Sequence, residues 1–188
     1  MKMLHSFVPS LAVMLMAASG GAGAQGVLID RSEIRFLAKQ TGGGVEVRFR
    51  KWKANVDFRP KDPANSKAAF EIELASIDLA SEETETEIRR PAWFDTAKFP
   101  VARFESTSVR SVGTDRYEID GRLSIKGVTR DVSVPVALRR DGGGNSVAEG
   151  QFTVKRLDYK IGEGMWADTG TVADEVVIRI RMVLPPVQ

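Results

Sequence analysis

The sequence predicts an all-β protein, an eight-stranded antiparallel β-barrel with one short helix and long connectors at its mouth. Three observations carry that expectation. Apolar and polar residues alternate with period two in run after run, the pattern of a strand with one dry and one wet face. Gly-, Pro-, Asn- and Asp-containing turns separate the runs at short, fairly even spacing. Only Ser81 to Arg90 reads as helix. Sandwich and barrel both fit such spacing. The barrel is preferred because closure removes strand edges, and about eight strands leave an interior wide enough for one small ligand.

The clearest pair of strands lies at Tyr117 to Leu138. Tyr117, Ile119, Gly121, Leu123 and Ile125 alternate with polar residues. The chain breaks at Gly127, and Val132, Val134, Val136 and Leu138 resume the alternation, so the stretch reads as a hairpin. Upstream, Ile34, Phe36 and Ala38 form a first strand before the turn at Thr41–Gly44. Val45, Val47 and Phe49 start a second, but Trp52, Ala54, Val56 and Phe58 continue it on the other parity. That shift at Arg50-Lys51 predicts a bulge, which bends a strand and helps a sheet close. Pro60 and Pro63 end it, and Ala68, Phe70, Ile72 and Leu74 form the next strand. Ser81 caps the helical stretch, with acids at its start, Arg89 and Arg90 at its end and Pro91 to stop it. An aromatic-rich connector runs through Trp93, Phe94 and Phe99. Ala102, Phe104 and Ser106 form a strand before the hairpin, and Ala148, Gly150, Phe152 and Val154 one after it. A second irregular connector covers Lys155 to Asp174, and Val176, Ile178, Ile180 and Met182 mark the last strand.

The first residues read as a secretory signal peptide: a positive Lys2, an apolar run at Leu11–Ala18 and a small-residue cleavage site at Ala22-Gly23-Ala24. Cleavage after Ala24 takes the 188 residues to 164, residues 25–188, one domain in size. The compartment expected is the periplasm. Export without a single Cys implies a core large enough to need no disulfide. The single His is His5, within the predicted leader. The mature chain therefore offers no thiolate or imidazole, which removes Cys nucleophiles, Ser–His triads and His or Cys metal ligation. No metal site, cofactor or catalytic residue is expected. Charge signs are mixed along the chain without a basic block, so nothing calls for nucleic acid.

Read together, these residues suggest a family. The chain contains Phe58-Arg59-Pro60, Ser76-Ile77-Asp78, Trp93-Phe94-Asp95, Phe99-Pro100 leading to Phe104-Glu105-Ser106, Gly121-x-Leu123-x-Ile125-x-Gly127-Val128-Thr129, and Arg156-Leu157-Asp158-Tyr159 before Ile161-Gly162. In these motifs it resembles the YceI-like, or polyisoprenoid-binding, lipocalin-like family, over nearly all of the mature chain. Gly164-x-Trp166-Ala167-Asp168 looks like the periplasmic branch. Family members usually carry Asp where Arg59 stands and often Gly where Lys160 stands. The resemblance implies an extended lipocalin-like barrel, often dimeric. It would be a non-enzymatic carrier of an isoprenoid quinone, a polyprenyl phosphate or diphosphate, or another long amphiphilic lipid, with a membrane b-type cytochrome as a neighbour in some cases.

The physical case for a site stands beside that likeness. Inward residues of a small barrel either fill it or line a cavity. The expected lumen set is Phe36, Phe49, Trp52, Phe58, Phe70, Ile72, Phe104, Leu123, Ile125, Val134 and Phe152. Trp93, Phe94, Phe99, Tyr159 and Trp166 in the two connectors either gate the mouth or cap the barrel end. Arg90 and Arg156 lie beside them in sequence, as headgroup cations or as ordinary rim charge. Two other readings compete. In one, the barrel is filled and the protein docks on a membrane cytochrome as a sensor or partner. In the other, Asp158 with Glu163, or Asp168 with Asp174 and Glu175, performs hydrolysis. Val177 and Val183 offer an apolar outer face to a homodimer.

Overall fold

The structure, a computed structural model, describes residues 26–186. The predicted signal peptide lies outside the described residues. The strands are β1 (Glu33–Gln40), β2 (Gly43–Phe49), β3 (Trp52–Asp57), β4 (Lys67–Glu73), β5 (Ile77–Asp78), β6 (Val101–Gly113), β7 (Arg116–Ile125), β8 (Val128–Arg140), β9 (Ser146–Lys155) and β10 (Val172–Leu184). One α-helix, α1 (Glu82–Ile88), follows β5. All strand pairings are antiparallel, in a single curled sheet ordered β3-β4-β6-β7-β8-β9-β10-β1-β2-β5.

Ten strands stand where about eight are expected, for two local reasons. The run from Val45 to Phe58 breaks at Arg50-Lys51, where its parity changes, into β2 and β3. These two strands are consecutive in the chain yet sit near opposite ends of the sheet order, so one bent segment ties the two edges together. The added strand, β5, is two residues long and pairs Ile77 with Phe49 of β2. Ser76 stitches the joint: its carbonyl accepts from Arg50 N at 2.9 Å and its hydroxyl from Lys51 N at 3.0 Å. The hydroxyl also donates to Glu73 O at 2.6 Å.

Turn chemistry fixes the register. Lys126 and Gly127 both have positive φ, +48° and +75°, as a tight two-residue hairpin turn requires, and Ile125 then faces Val128. The β8–β9 turn is held by Asp141, whose carboxylate accepts from Gly143 N and Asn145 N, both at 2.9 Å, and from Arg31 at 2.7 Å. Those bonds, first among them the Asn145 side chain, hold its carboxyl down at about 2. Ser81 caps α1 by accepting from Thr84 N. Gly121 is an inward position with no room for a side chain. A Cβ there would stand 2.5 Å from the Phe104 ring and 2.7 Å from Glu105 O.

On the last strand, whose Val177 and Val183 the sequence offers to a homodimer, Val183 is fully buried within the chain and its carbonyl accepts from Leu28 N, while Val177 is half-buried.

Candidate functional site

The inward faces of the strands enclose a cavity of about 230 Å³ lined by forty residues. Nearly all of them are apolar: rows of Val, Ile, Leu and Phe from β1, β2, β4, β6, β7, β8, β9 and β10, which alternation turns inward. So small a volume touching so many residues describes a long, narrow space. Along β7 the lining runs from Tyr117 to Ile125, about 27 Å at the rise of an antiparallel strand.

Ten of the eleven expected lumen residues are on this lining: Phe36, Phe49, Phe58, Phe70, Ile72, Phe104, Leu123, Ile125, Val134 and Phe152. Phe36 and Phe49 meet edge to face at 5.2 Å, and Phe70 lies 6.0 Å from Phe104. Trp52 is off the lining. It is the first residue after the break at Arg50-Lys51, so it sits opposite Ile72 at the start of β3, half-buried where the chain crosses the joint. Sequence reasoning also passed over much of the wall. Ile178, Ile180, Met182 and Leu184 of β10 and Tyr117 of β7 all line it. Their alternation was legible; what was missing was a reason to weigh aliphatic strand residues equally with aromatic ones.

The connectors pack as a cap over one end of the cavity. Trp93 is 8% exposed, Tyr159 2% and Ile161 7%. Trp93, Phe94 and Tyr159 reach the lining, and Trp166 packs outside it on Trp93 at 5.5 Å. Phe99 is off the lining too, lying over Gly127, where a Cβ would meet its ring at 2.8 Å. Backbone bonds from Gly162 N and Glu163 N to Ala92 O lock the two connectors together. Lys126 ties them to the β7–β8 turn by donating to Lys160 O and pairing with Glu163 at 3.1 Å. Lys160, at a position where the resemblance leads one to expect Gly, has φ +57° in the left-handed region, which accounts for that preference.

Of the two expected headgroup cations, Arg156 is committed elsewhere and Arg90 stands off the cavity wall. Arg156 is 3% exposed, and all five of its N–H groups are committed to backbone carbonyls. Nε donates to Ala173 O, one terminal nitrogen to Ile161 O and Gly162 O, and the other to Trp166 O and Val172 O, at 2.8–3.1 Å. Its guanidinium also lies 5.7 Å from the Trp93 ring. It is the post around which the second connector folds, and no donor is left for a ligand. Arg90 is exposed and pairs with Glu87 at 2.9 Å, away from the lining. Sequence proximity to aromatics could not separate a buried post from a surface ion pair.

Two polar groups at the capped end are unusual. Trp93 Nε1 is buried without a hydrogen-bond partner. Burial pushes the Tyr159 phenol up to about 12. The folded phenol thus keeps its proton while that of the unfolded chain, near 10, loses it. Stability is unaffected below pH 10 and falls as pH climbs from 10 toward 12, by about 3 kcal/mol in all. Alkaline melting curves of wild type and Tyr159→Phe should diverge across that window, the variant losing less; parallel curves would show that the phenol is not desolvated.

The carboxylates weighed for hydrolysis hold backbone and partner groups. Asp174 accepts from Leu157 N at 3.0 Å, Asp168 from Gly170 N at 2.9 Å, and Glu163 pairs with Lys126. No carboxylate lines the cavity among the described residues.

Comparison with known proteins gives the same architecture. The chain is 30% identical to Protein YceI of Escherichia coli O157:H7 over 180 residues, covering 89% of this chain and 91% of that one. The crystal structure of Burkholderia cenocepacia BcnA superposes with a TM-score of 0.80 at 33% identity, over 84% of this chain and 98% of that one. A polyisoprenoid-binding domain from Saccharophagus degradans, implicated in plant cell wall breakdown, shares the fold at a TM-score of 0.70 and 15% identity, over 87% and 99% of the two chains. With residues 28–184 matching the YceI-like domain from the first strand to the last, the chain belongs to the YceI-like family.

Proposed function

We propose that the protein is a non-enzymatic periplasmic carrier that holds the tail of a long amphiphilic lipid, an isoprenoid quinone or polyprenyl phosphate for preference, in its barrel. The observation that carries this reading is the narrow cavity with an almost wholly apolar wall. A pocket built for catalysis places a few convergent polar groups on an apolar wall. Here the polar side chains on the wall are two Tyr, Ser66, Lys67 and the fully committed Arg156. A docking partner with no cargo would have no use for the space. The likeness in fold to a solved polyisoprenoid-binding domain fits the same cargo class.

Each methylene of a tail buried there contributes about 0.8 kcal/mol before ordering costs, so a few isoprene units suffice for firm but reversible binding.

Native mass spectrometry of freshly purified protein, before and after organic extraction, tests the proposal. The expected result is one lipid mass per chain, removed by solvent and restored by adding a polyprenyl lipid. Identical masses before and after extraction, with added lipid never retained, would end the carrier reading.

A further inference from the structure

The wall of the barrel is not equally sealed all round. β7 and β8 pair without a break from Arg116↔Ala137 to Ile125↔Val128, and β9 pairs with β10 along its whole length. Between β8 and β9 the register runs only from Arg140↔Ser146 to Val136↔Gly150. Past that fork, residues 128–135 of β8 and 151–155 of β9 have no pairing with each other. Leu138 N donates to Asp115 O on the β7 side, so strand alternation turns the backbone groups of Thr129, Asp131 and Ser133 toward β9. All three residues are exposed, as are Gln151, Thr153 and Lys155 on the facing strand.

The fork itself is tight. A Cβ on Gly150 would stand 2.9 Å from Pro135 O. Pro135 has no N–H with which to carry the ladder further. Pro135, Asp131 and Lys155 are also the residue types that keep an open edge from taking up a foreign strand. At its other end the seam is bridged by the turn Arg156–Tyr159, where Arg130 donates through Nε and a terminal nitrogen to Asp158 O at 3.3 and 3.2 Å. Arg130 stands opposite Leu123 on the inward row of β8, yet it is exposed, so an inward-row side chain reaches solvent at the seam. Behind the seam the closure is made by half-buried side chains, Val132, Phe152 and Val154, the last two on the cavity lining. The other discontinuity, where the ends of the sheet meet at Arg50-Lys51, is stitched by the bonds to Ser76.

Parting the wall at a paired ladder breaks backbone hydrogen bonds. Parting it at the seam asks for side-chain rotations and the release of one arginine–carbonyl contact, which are far faster motions. We infer that the seam between β8 and β9 is a lateral portal through which a lipid tail enters and leaves the cavity, with Arg130 and Asp158 as its latch. This rests on the carrier reading and adds a route to it.

The chain has no Cys, so engineered pairs report cleanly. Delipidated protein is loaded with a polyprenol, and its exchange for the deuterium-labelled polyprenol is followed by native mass spectrometry. Ser133→Cys with Thr153→Cys, joined across the seam by a short bismaleimide after loading, should slow exchange about tenfold or more while the lipid stays bound. Ala137→Cys with Glu149→Cys, joined the same way inside the paired ladder, should leave the rate within about twofold. Arg130→Ala, which needs no cross-link, should quicken exchange about threefold. The inference is overturned if the seam-linked protein exchanges at the wild-type rate, if both links slow exchange alike, or if Arg130→Ala leaves the rate unchanged. Wild type that never retains the polyprenol would be a failure of the carrier reading itself.

Discussion

Replacing Arg156 with Met should lower the melting temperature by about 10 °C or more. The guanidinium satisfies the carbonyls of Ile161, Gly162, Trp166, Val172 and Ala173 from a site that is 3% exposed. A thioether packs in the same volume but donates nothing. Each carbonyl left without water or a donor costs about 1–3 kcal/mol. Local relaxation recovers part of that, and losses of about 3–5 kcal/mol are usual when a buried charged group is removed from its partners. For a domain of this size each kcal/mol is worth about 2–4 °C. Arg156→Lys should recover only part of the loss, because a single ammonium cannot span carbonyls fanned around a planar fork. The cap should loosen as a unit, so amide exchange should speed up from Arg156 to Asp174 and at Ala92 and Trp93, whose connector is bonded to it. Unchanged melting with collapsed lipid affinity would instead make Arg156 a headgroup ligand.

Filling the cavity with Ala148→Trp should cut lipid binding tenfold or more while the protein stays folded. Ala148 sits on the wall, half-buried, between Leu138 of β8 and Met182 of β10. An indole there occupies the space a tail would take. Overpacking a well-filled core costs about 1–3 kcal/mol, but this substitution enters a space of about 230 Å³, so the cost belongs at the low end. The adjoining Glu149 points outward, where it pairs with Arg139. Glu149→Trp is the matched control, with the same added bulk on the outer face and binding expected to persist. If Ala148→Trp holds lipid with wild-type stoichiometry, the lipid lies somewhere other than the barrel interior.

Much of the fold is legible in the chain because sheet physics is local. The alternation through Tyr117–Ile125 fixes which side chains turn inward, and Lys126-Gly127 fixes the register of the next strand. The parity change at Arg50-Lys51 marks the bend that brings the two edges of the sheet together. The strand count came out short at that same point, since one bent run pairs with two different neighbours and is therefore two strands. Ten lumen residues were legible for the same reason; Trp52 was not, because parity alone cannot show that a side chain stands at the edge of a wall rather than on it.

The sequence by itself determined the all-β class, the inward set, the closing bend and, since the chain holds no Cys and its single His is His5, the lack of thiolate and imidazole side chains throughout the described residues. Only the tertiary structure decided what the charged and aromatic connector residues do. Arg156 and Arg90 are equivalent cations in a string of letters. They differ because one is enclosed by five carbonyls and the other lies in a surface ion pair. Hydrophobic alternation is a property of adjacent residues and survives in one dimension. Desolvation and the competition for donors depend on what the fold brings within about 3 Å, and that exists in three dimensions alone.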